Sequence, residues 1–482
     1  MSVLAFGPFT LDLRTSALSK DGALTPLSPK LVQVLACLAE ARGELVTRDL
    51  LFERYWPGLT VTDNTLTRAI ADIRKTLDDN SGTPVYIQTI ARRGYRFVAP
   101  VREETPVSDA FAGLEPFVAW ERGRTALESL HVSALPAAAE AFSRAVNGAP
   151  HYAAAHAGLA NVHVFRYEAT RVDNTPAADA LTAAIAAARR ATELDATLGE
   201  GWAALGHAFG CAGQLEDARA ALQQALALEP RNWRHHYRMA VASWGETRLG
   251  AVERAEALLP GFPGAQTAAA MVLIARQAFD LAAEAAARGA TAQSAQHDQS
   301  RYPANGLLWV RGLTAWARGL QDDGVRDFAA EAAFSGSAGT VYARECGVLA
   351  QEALGFALAS RGDLDAARLA FAAADAASPG HARAVLGLAL AAGASGDAVA
   401  RVAIACDRLE RAGKVGERAL VLAAAYGWAG QGAHGLGMAE QAIATPAQDP
   451  TGWSLPADPI FAPLRTADGY ARLAARLAAR AS

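Results

Sequence analysis

Asn64, Thr67, Arg68 and Lys75 place an amide, a hydroxyl, a guanidinium and an ammonium within a stretch of about three helical turns. Arginine and asparagine make bidentate hydrogen bonds to the edges of guanine and adenine, and lysine neutralises phosphate. Ala71, between them, is small enough to let a backbone approach a groove. Downstream, Arg92-Arg93 stands between two strand-like runs, where a pair of guanidiniums suits phosphate contacts or insertion into a narrow minor groove. Residue types alone do not make a site, because a solvated helix face also carries Arg68 and Lys75, and a polar turn also carries two arginines. Their placement on the surrounding elements has to decide.

The spacing predicts a helix that Thr62 or Asp63 caps and that runs to about Leu77. At 100° per residue, Leu66, Ile70, Ile73 and Leu77 fall within roughly 60° of one another and define a buried face. Asn64, Arg68, Ala71 and Lys75 lie opposite, with Thr67 and Asp72 at the flanks. Short strands are expected at Val3–Phe6, Phe9–Leu13 and Ala17–Ser19, with a Lys20-Asp21-Gly22 turn into Ala23–Leu27. Ser28-Pro29 opens a first helix whose apolar face is Leu31, Val34, Leu35 and Leu38, and Gly43 closes it. Thr47 caps a second, Arg48–Tyr55. Val85–Ile90 and Tyr95–Val98 form a hairpin with the two arginines at its tip.

Several separate strings carry a family resemblance. Val46-Thr47-Arg48-Asp49-Leu50-Leu51, Tyr55-Trp56-Pro57-Gly58, Asn64-Thr65-Leu66, Ile73-Arg74-Lys75-Thr76-Leu77, Tyr86-Ile87-Gln88-Thr89-Ile90 and Arg93-Gly94-Tyr95-Arg96-Phe97 occur in order. Residues 3–100 resemble the OmpR/PhoB-type winged helix, in particular its CadC-like and HilA-like branch. The resemblance implies a strand platform, a third helix in the major groove and a wing at the minor groove or backbone of double-stranded DNA. Carried over by position, Asn64, Thr67, Arg68 and Lys75 become recognition-helix residues, Arg92 and Arg93 wing residues, and Arg48 and Thr65 phosphate contacts. Two features depart from relatives: the domain starts at residue 3, with no phosphoaccepting receiver before it, and no membrane segment follows it. Control by phosphorelay is therefore not expected.

Residues 101–113 are polar and contain proline, and read as a linker. Beyond them alanine dominates, in blocks such as Ala183–Ala191 and Ala282–Ala287, which favours short, closely packed helices. Trp202, Leu205, Gly206, Phe209, Gly213, Ala218, Leu222, Ala225 and Pro230 stand at the spacings of a tetratricopeptide repeat. Leu354, Gly355, Gly362, Ala367, Phe371, Ala374 and Pro379 repeat the pattern, Ala138, Phe142, Ala145 and Pro150 half of it, and Trp309, Gly312, Leu313 and Trp316 part of it. No register is assignable between residues 233 and 299. The segment Asp458-Pro459-Ile460-Phe461-Ala462-Pro463-Leu464-Arg465 is similar to the end of many bacterial repeat-containing regulators. One such hairpin cannot cover its own apolar face, so a stacked solenoid is expected. Arg166, Arg171, Arg234, His235 and His236 are candidates for lining its groove.

Composition sets the remaining bounds. Residues 1–100 carry 12 Lys and Arg against 10 Asp and Glu, and the rest 33 against 39, so clustering rather than net charge must attract a polyanion. Cys37, Cys211, Cys346 and Cys406 are far apart, and no disulfide framework or metal is expected. His151 and His156 do not share a helix face, and the adjacent His235 and His236 point apart. The apolar run Ala384–Gly396 has 13 residues, short of the roughly 20 that span a membrane. No phosphate loop, HExxH or GxSxG string occurs, Gly435-Leu436-Gly437 reads as helix packing, and neither a catalytic site nor a cofactor is expected.

The sequence thus predicts a mainly α protein: an α+β winged helix-turn-helix at 1–100, a linker at 101–113 and an all-α tetratricopeptide-repeat solenoid at 114–482. Its expected partners are double-stranded DNA, a protein, peptide or small ligand at the repeat groove, and a second copy on DNA. The expected setting is the bacterial cytoplasm. The competing reading is a scaffold protein whose winged helix mediates protein interaction.

Overall fold

The computed structural model describes residues 3–13, 16–56, 63–104, 113–173, 176–295, 304–393, 395–411, 413–444 and 450–482. Two units result, Met1–Val118 and Ala119–Ser482. In the first, β1 (Val3–Phe6), β2 (Phe9–Asp12), β3 (Ala17–Lys20) and β4 (Ala23–Thr25) form an antiparallel meander. One outcome differs from expectation. Arg102–Glu104, read as linker, forms a strand, β8, that pairs with β1 and gives the order β4-β3-β2-β1-β8. The edge of β1 would otherwise expose a row of unpaired backbone groups, and a short polar strand suffices to cover it. Residues 105–112 of the expected linker lie outside the described residues.

The caps act as their side chains dictate. Ser28 Oγ accepts from the Leu31 amide at 3.4 Å to start α1 (Pro29–Glu40), and Thr47 Oγ1 accepts from Leu50 at 3.3 Å to start α2 (Arg48–Tyr55). The third helix, α3, spans Asp63–Leu77, and the expected Thr62 cap lies outside the described residues. Val34, Leu35 and Leu38 of α1, Leu51 of α2 and Leu66, Ile70, Ile73 and Leu77 of α3 are all buried, whereas Leu31 is only half-buried. They pack on Leu4, Phe6, Phe9 and Leu11 from the sheet, and Phe6 meets Phe97 edge-on at 4.9 Å.

A second sheet, ordered β5-β7-β6, joins β5 (Leu45–Thr47) to the hairpin of β6 (Ile87–Ile90) and β7 (Gly94–Phe97). At Gly94 the strands approach so closely that a Cβ would lie 2.0 Å from the Val46 carbonyl oxygen. Only glycine fits there.

The second unit, with the start of its first helix, is a run of antiparallel helical hairpins of tetratricopeptide type. The first four are α4 (Glu115–Glu128) with α5 (Leu135–Gly148), α6 (Ala153–Thr170) with α7 (Ala178–Leu194), α8 (Gly199–Cys211) with α9 (Leu215–Leu228), and α10 (Trp233–Ala242) with α11 (Gly245–Leu258). Next come α12 (Pro263–Ala275) with α13 (Phe279–Ala295), α14 (Leu307–Ala317) with α15 (Gln321–Ala338), and α16 (Ala343–Ser360) with α17 (Leu364–Ala377). The last two are α18 (Ala382–Ala391) with α19 (Ser395–Arg411) and α20 (Val415–Trp428) with α21 (Gly432–Ala442). The packing logic is clearest at the buried Phe371, wedged between Gly355 of α16 and Gly387 of α18. A Cβ at either glycine would fall within 2.4 Å of its ring. Among the described residues no helix is long and apolar enough to cross a membrane.

Arg248 accounts for the irregular register after Trp233. Helix α10 is short, and the buried Arg248 guanidinium donates to the carbonyls of Ala240, Val241 and Ser243 while lying 4.7 Å over the Trp244 ring. Arg219 donates to the carbonyl of Ala242. Two guanidiniums thus satisfy a helix end that the repeat pattern would have extended. Burial pushes Arg248 down to about 10, and it remains charged at neutral pH.

The array closes on itself. The turn after α4 pairs with the segment before α16, the Val132 amide donating to Gly339 and the Val341 amide to Leu130. From the turn after α6, Arg171 forms an ion pair with Glu345, and the Val172 carbonyl accepts from Ser378 Oγ at 2.6 Å. The C-terminal segment packs on the first helices of the later hairpins. Trp453 meets Trp309 of α14 edge-on, Asp458 pairs with Arg383 of α18 at 2.6 Å, Trp428 of α20 donates to the Ile460 carbonyl, and Arg276, which follows α12, donates to that of Ala481.

Burial holds the imidazoles of His163 and His235 below their usual 6.5; Arg166 adds to the effect at His163. Both are therefore neutral in the fold and protonate more readily when it opens. The stability this represents is complete above pH 6.5 and drains away as the pH falls from there through the lowered values. Denaturation midpoints of the helical unit should drop between about pH 7.5 and about pH 5.5. His235→Gln should flatten that dependence, and an identical slope in this variant would refute the assignment.

Candidate nucleic-acid interface

The buried face of α3 fixes which residues it presents. Thr67, Arg68, Ala71, Asp72 and Lys75 are all exposed and form one stripe along the helix, while Thr65 is half-buried at its edge. Asn64 begins the same stripe by position; its side chain lies outside the described residues. At the far end, Asp72, Lys75 and Thr76 border a shallow groove completed by Thr25, Ser28 and Leu31.

Arg48, the first residue of α2, is drawn into this face. Its guanidinium donates to Thr67 Oγ1 at 3.2 Å and lies 5.9 Å over the Tyr95 ring. Its amide donates to the Arg93 carbonyl at 3.3 Å, which ties the start of α2 to the hairpin tip. Arg92 and Arg93 are exposed in the turn between β6 and β7, with Arg92 at φ 61° and the Arg93 amide donating to Ile90. The structure therefore brings Arg48, Thr67 and Arg93 together, places Arg68 and Lys75 on the same stripe, and sets Arg92 beside Arg93.

Two positioning residues were missed in the sequence. Arg74 points off the stripe and donates to the Ile87 carbonyl at 2.7 Å and to Thr89 Oγ1 at 2.8 Å, fastening α3 to β6. Asp79 accepts from the amides of Val85, Tyr86 and Ile87, at 2.7, 3.3 and 2.8 Å, and fixes the start of that strand. Backbone partners leave no mark in a sequence, although the position of Arg74 on the flank of the apolar face was a usable hint. The geometry gives a cationic helix face and a cationic turn held at one relative orientation by charge-assisted hydrogen bonds.

The five groove candidates take separate partners or face solvent. Arg171 is engaged in the ring closure, and His235 is buried with Nε2 3.0 Å from Glu229. His236 contacts the Pro230 carbonyl, Arg234 stacks over Trp233, and Arg166 is exposed. The C-terminal segment packs on the first helices of the later hairpins, at Trp309, Arg383 and Trp428. Gly435 packs as expected, with room for no Cβ between Ala423 and Leu464.

Residues 22–97 match a family model described as "Transcriptional regulatory protein, C terminal". The chain is similar to the transcriptional activator CadC of Escherichia coli strain K12, 34% identical over 100 residues that make up 20% of each chain. It is likewise similar to the transcriptional regulator HilA of Salmonella typhimurium, 34% identical over 101 residues, which are 21% of this chain and 18% of that one. Among solved structures, the DNA-binding domain of Klebsiella pneumoniae RstA in complex with the RstA box is 31% identical. It covers 20% of this chain and 96% of that one, with a TM-score of 0.19. The chain thus spans about a fifth of the length of these two curated relatives.

Proposed function

We propose, from the premise that residues 22–97 are an OmpR/PhoB-type domain of the transcriptional regulatory C-terminal family, that this protein is a sequence-specific DNA-binding transcription regulator. Helix α3 enters the major groove, and the Arg92-Arg93 turn meets the minor groove or backbone of the same duplex. The observation that carries the reading is the exposed Thr67–Arg68–Ala71–Lys75 stripe, clamped to the wing through Arg74 and Arg48. A scaffold has no need of it. Arg68, with Asn64, reads base edges; Lys75, beside the start of α1, and Arg48, Thr65 and Thr67 orient the helix on the phosphates. The helical unit receives a signal from a protein, peptide or small ligand and alters pairing of two copies on DNA. The setting is the bacterial cytoplasm, and no catalytic step is involved.

Selection of genomic fragments with the full-length protein tests this directly. An enriched motif is expected. Arg68→Ala should weaken specific binding by about 1–3 kcal/mol and blur one base of that motif. Replacing Arg92 and Arg93 together should instead lower affinity across sequences and reduce the salt slope by about two. A folded protein that enriches no motif, or a motif indifferent to Arg68, would overturn the docking scheme.

A further inference from the structure

Glu168, in the last turn of α6, faces His207 and Cys211, which stand one turn apart on α8 and so share a helix side. Glu168 Oε1 lies 3.5 Å from His207 Nε2 and 3.7 Å from Cys211 Sγ, and the three ligand atoms all lie within 4.8 Å of one another. A cation bound by oxygen, nitrogen and sulfur at ~2.0–2.3 Å in a tetrahedron sets its ligand atoms about 3.3–3.7 Å apart. A direct hydrogen bond between imidazole and carboxylate would close to about 2.7–3.0 Å. The Glu168–His207 pair therefore stands wider than a hydrogen bond, at the spacing a shared cation imposes, while the Cys211 thiol donates to the same carboxylate oxygen at 3.7 Å.

The surroundings suit such an ion. Glu168 is 6% exposed and His207 14%, so the site is enclosed but reachable. The second carboxylate oxygen of Glu168 accepts from Tyr342 Oη at 2.6 Å, the kind of outer partner that fixes a ligating carboxylate. The nearby Arg171 is answered by Glu345. One carboxylate and one thiolate balance the charge of a divalent ion, and the thiol proton passes to solvent on binding.

We propose that Glu168, His207 and Cys211 form a mononuclear site for a thiophilic divalent cation of the zinc class, with a fourth position open to water or an exogenous ligand. Three protein ligands of these types are the donor set such ions select. The ligands come from the second and third hairpins and Tyr342 from the seventh, so the ion sits where the array closes. The absence of CxxC pairs hid this site in the sequence; His207 and Cys211, four apart on one helix, were the legible signal.

The test is a titration of tag-free, chelator-stripped full-length protein with Co²⁺. One ion per chain is expected, with a thiolate-to-cobalt charge-transfer band and the visible bands of a four-coordinate ion, all bleached by Zn²⁺. Cys211→Ser should abolish the charge-transfer band in a protein of unchanged circular dichroism. Tyr342→Phe, which keeps all three ligands, should weaken cobalt binding about tenfold. No charge-transfer band in the folded wild type, or one that survives Cys211→Ser, overturns the proposal. Both outcomes are independent of DNA binding.

Discussion

Arg383→Met is expected to destabilise the helical unit by about 3–5 kcal/mol, because it strands two buried carboxylates. Glu352 and Asp458 are both fully buried. The Arg383 guanidinium reaches Asp458 at 2.6 Å and Glu352 at 3.3 Å, and His381 pairs with the other oxygen of Glu352. Burial opposes the charge on Arg383, yet Asp458 and Glu352 more than offset it and hold its pKa above the ordinary value. Without the guanidinium, the buried Asp458 loses its counter-charge and Glu352 keeps only His381. The loss should therefore show at neutral pH in urea denaturation followed by circular dichroism. It should shrink in acid, and adding Asp458→Asn should recover much of it. Since Asp458 also caps the turn at Ile460, protease should cut the C-terminal segment first in the single variant. A neutral-pH midpoint within error of the wild type would show that the network anchors nothing.

The second large effect is expected at Gly94. A methyl group there would lie 2.0 Å from the Val46 carbonyl oxygen and 2.9 Å from Thr47 Cα, both backbone atoms in a paired strand. No rotamer relieves that clash, so β5 and β7 must part. The cost should be about 3 kcal/mol or more, the upper end of what overpacking imposes. Parting them also detaches the hairpin tip from the start of α2, which the bond from the Arg48 amide to Arg93 now secures. Gly94→Ala should thus abolish specific DNA binding and lower the melting transition of the N-terminal domain, while the helical transition stays put. Retained binding at wild-type affinity would mean that the wing orientation does not matter.

Much of the N-terminal domain was readable because its determinants are local. Leu66, Ile70, Ile73 and Leu77 announce a buried face through their period, and Ser28, Pro29 and Thr47 announce helix starts through groups that bond within three residues. The stripe of Arg68 and Lys75 follows from the same period. What stayed hidden depends on partners distant in sequence or on backbone acceptors, which every residue offers alike. Arg74 bonds to a carbonyl in β6, Arg248 and Arg219 cap a helix end, and β8 pairs with a strand nearly a hundred residues earlier. The tetratricopeptide spacing of Gly206 and Leu222 or Gly355 and Phe371 revealed individual hairpins, since each pair meets within one. It could not reveal that residues 453–482 pack on the later hairpins or that the first two hairpins meet the seventh.

That meeting changes how the chain must be made. An open array grows hairpin by hairpin, each new unit covering the last, and can fold from any point. Here the Arg171–Glu345 pair joins residues 174 apart, and the first helices of the later hairpins receive part of their cover from residues 453–482. A nascent chain therefore holds apolar helix faces uncovered until residues 453–482 have left the ribosome, an aggregation-exposed interval that an open array avoids. Removal of residues 453–482 would be felt at Arg276 and Trp309, far back in the sequence.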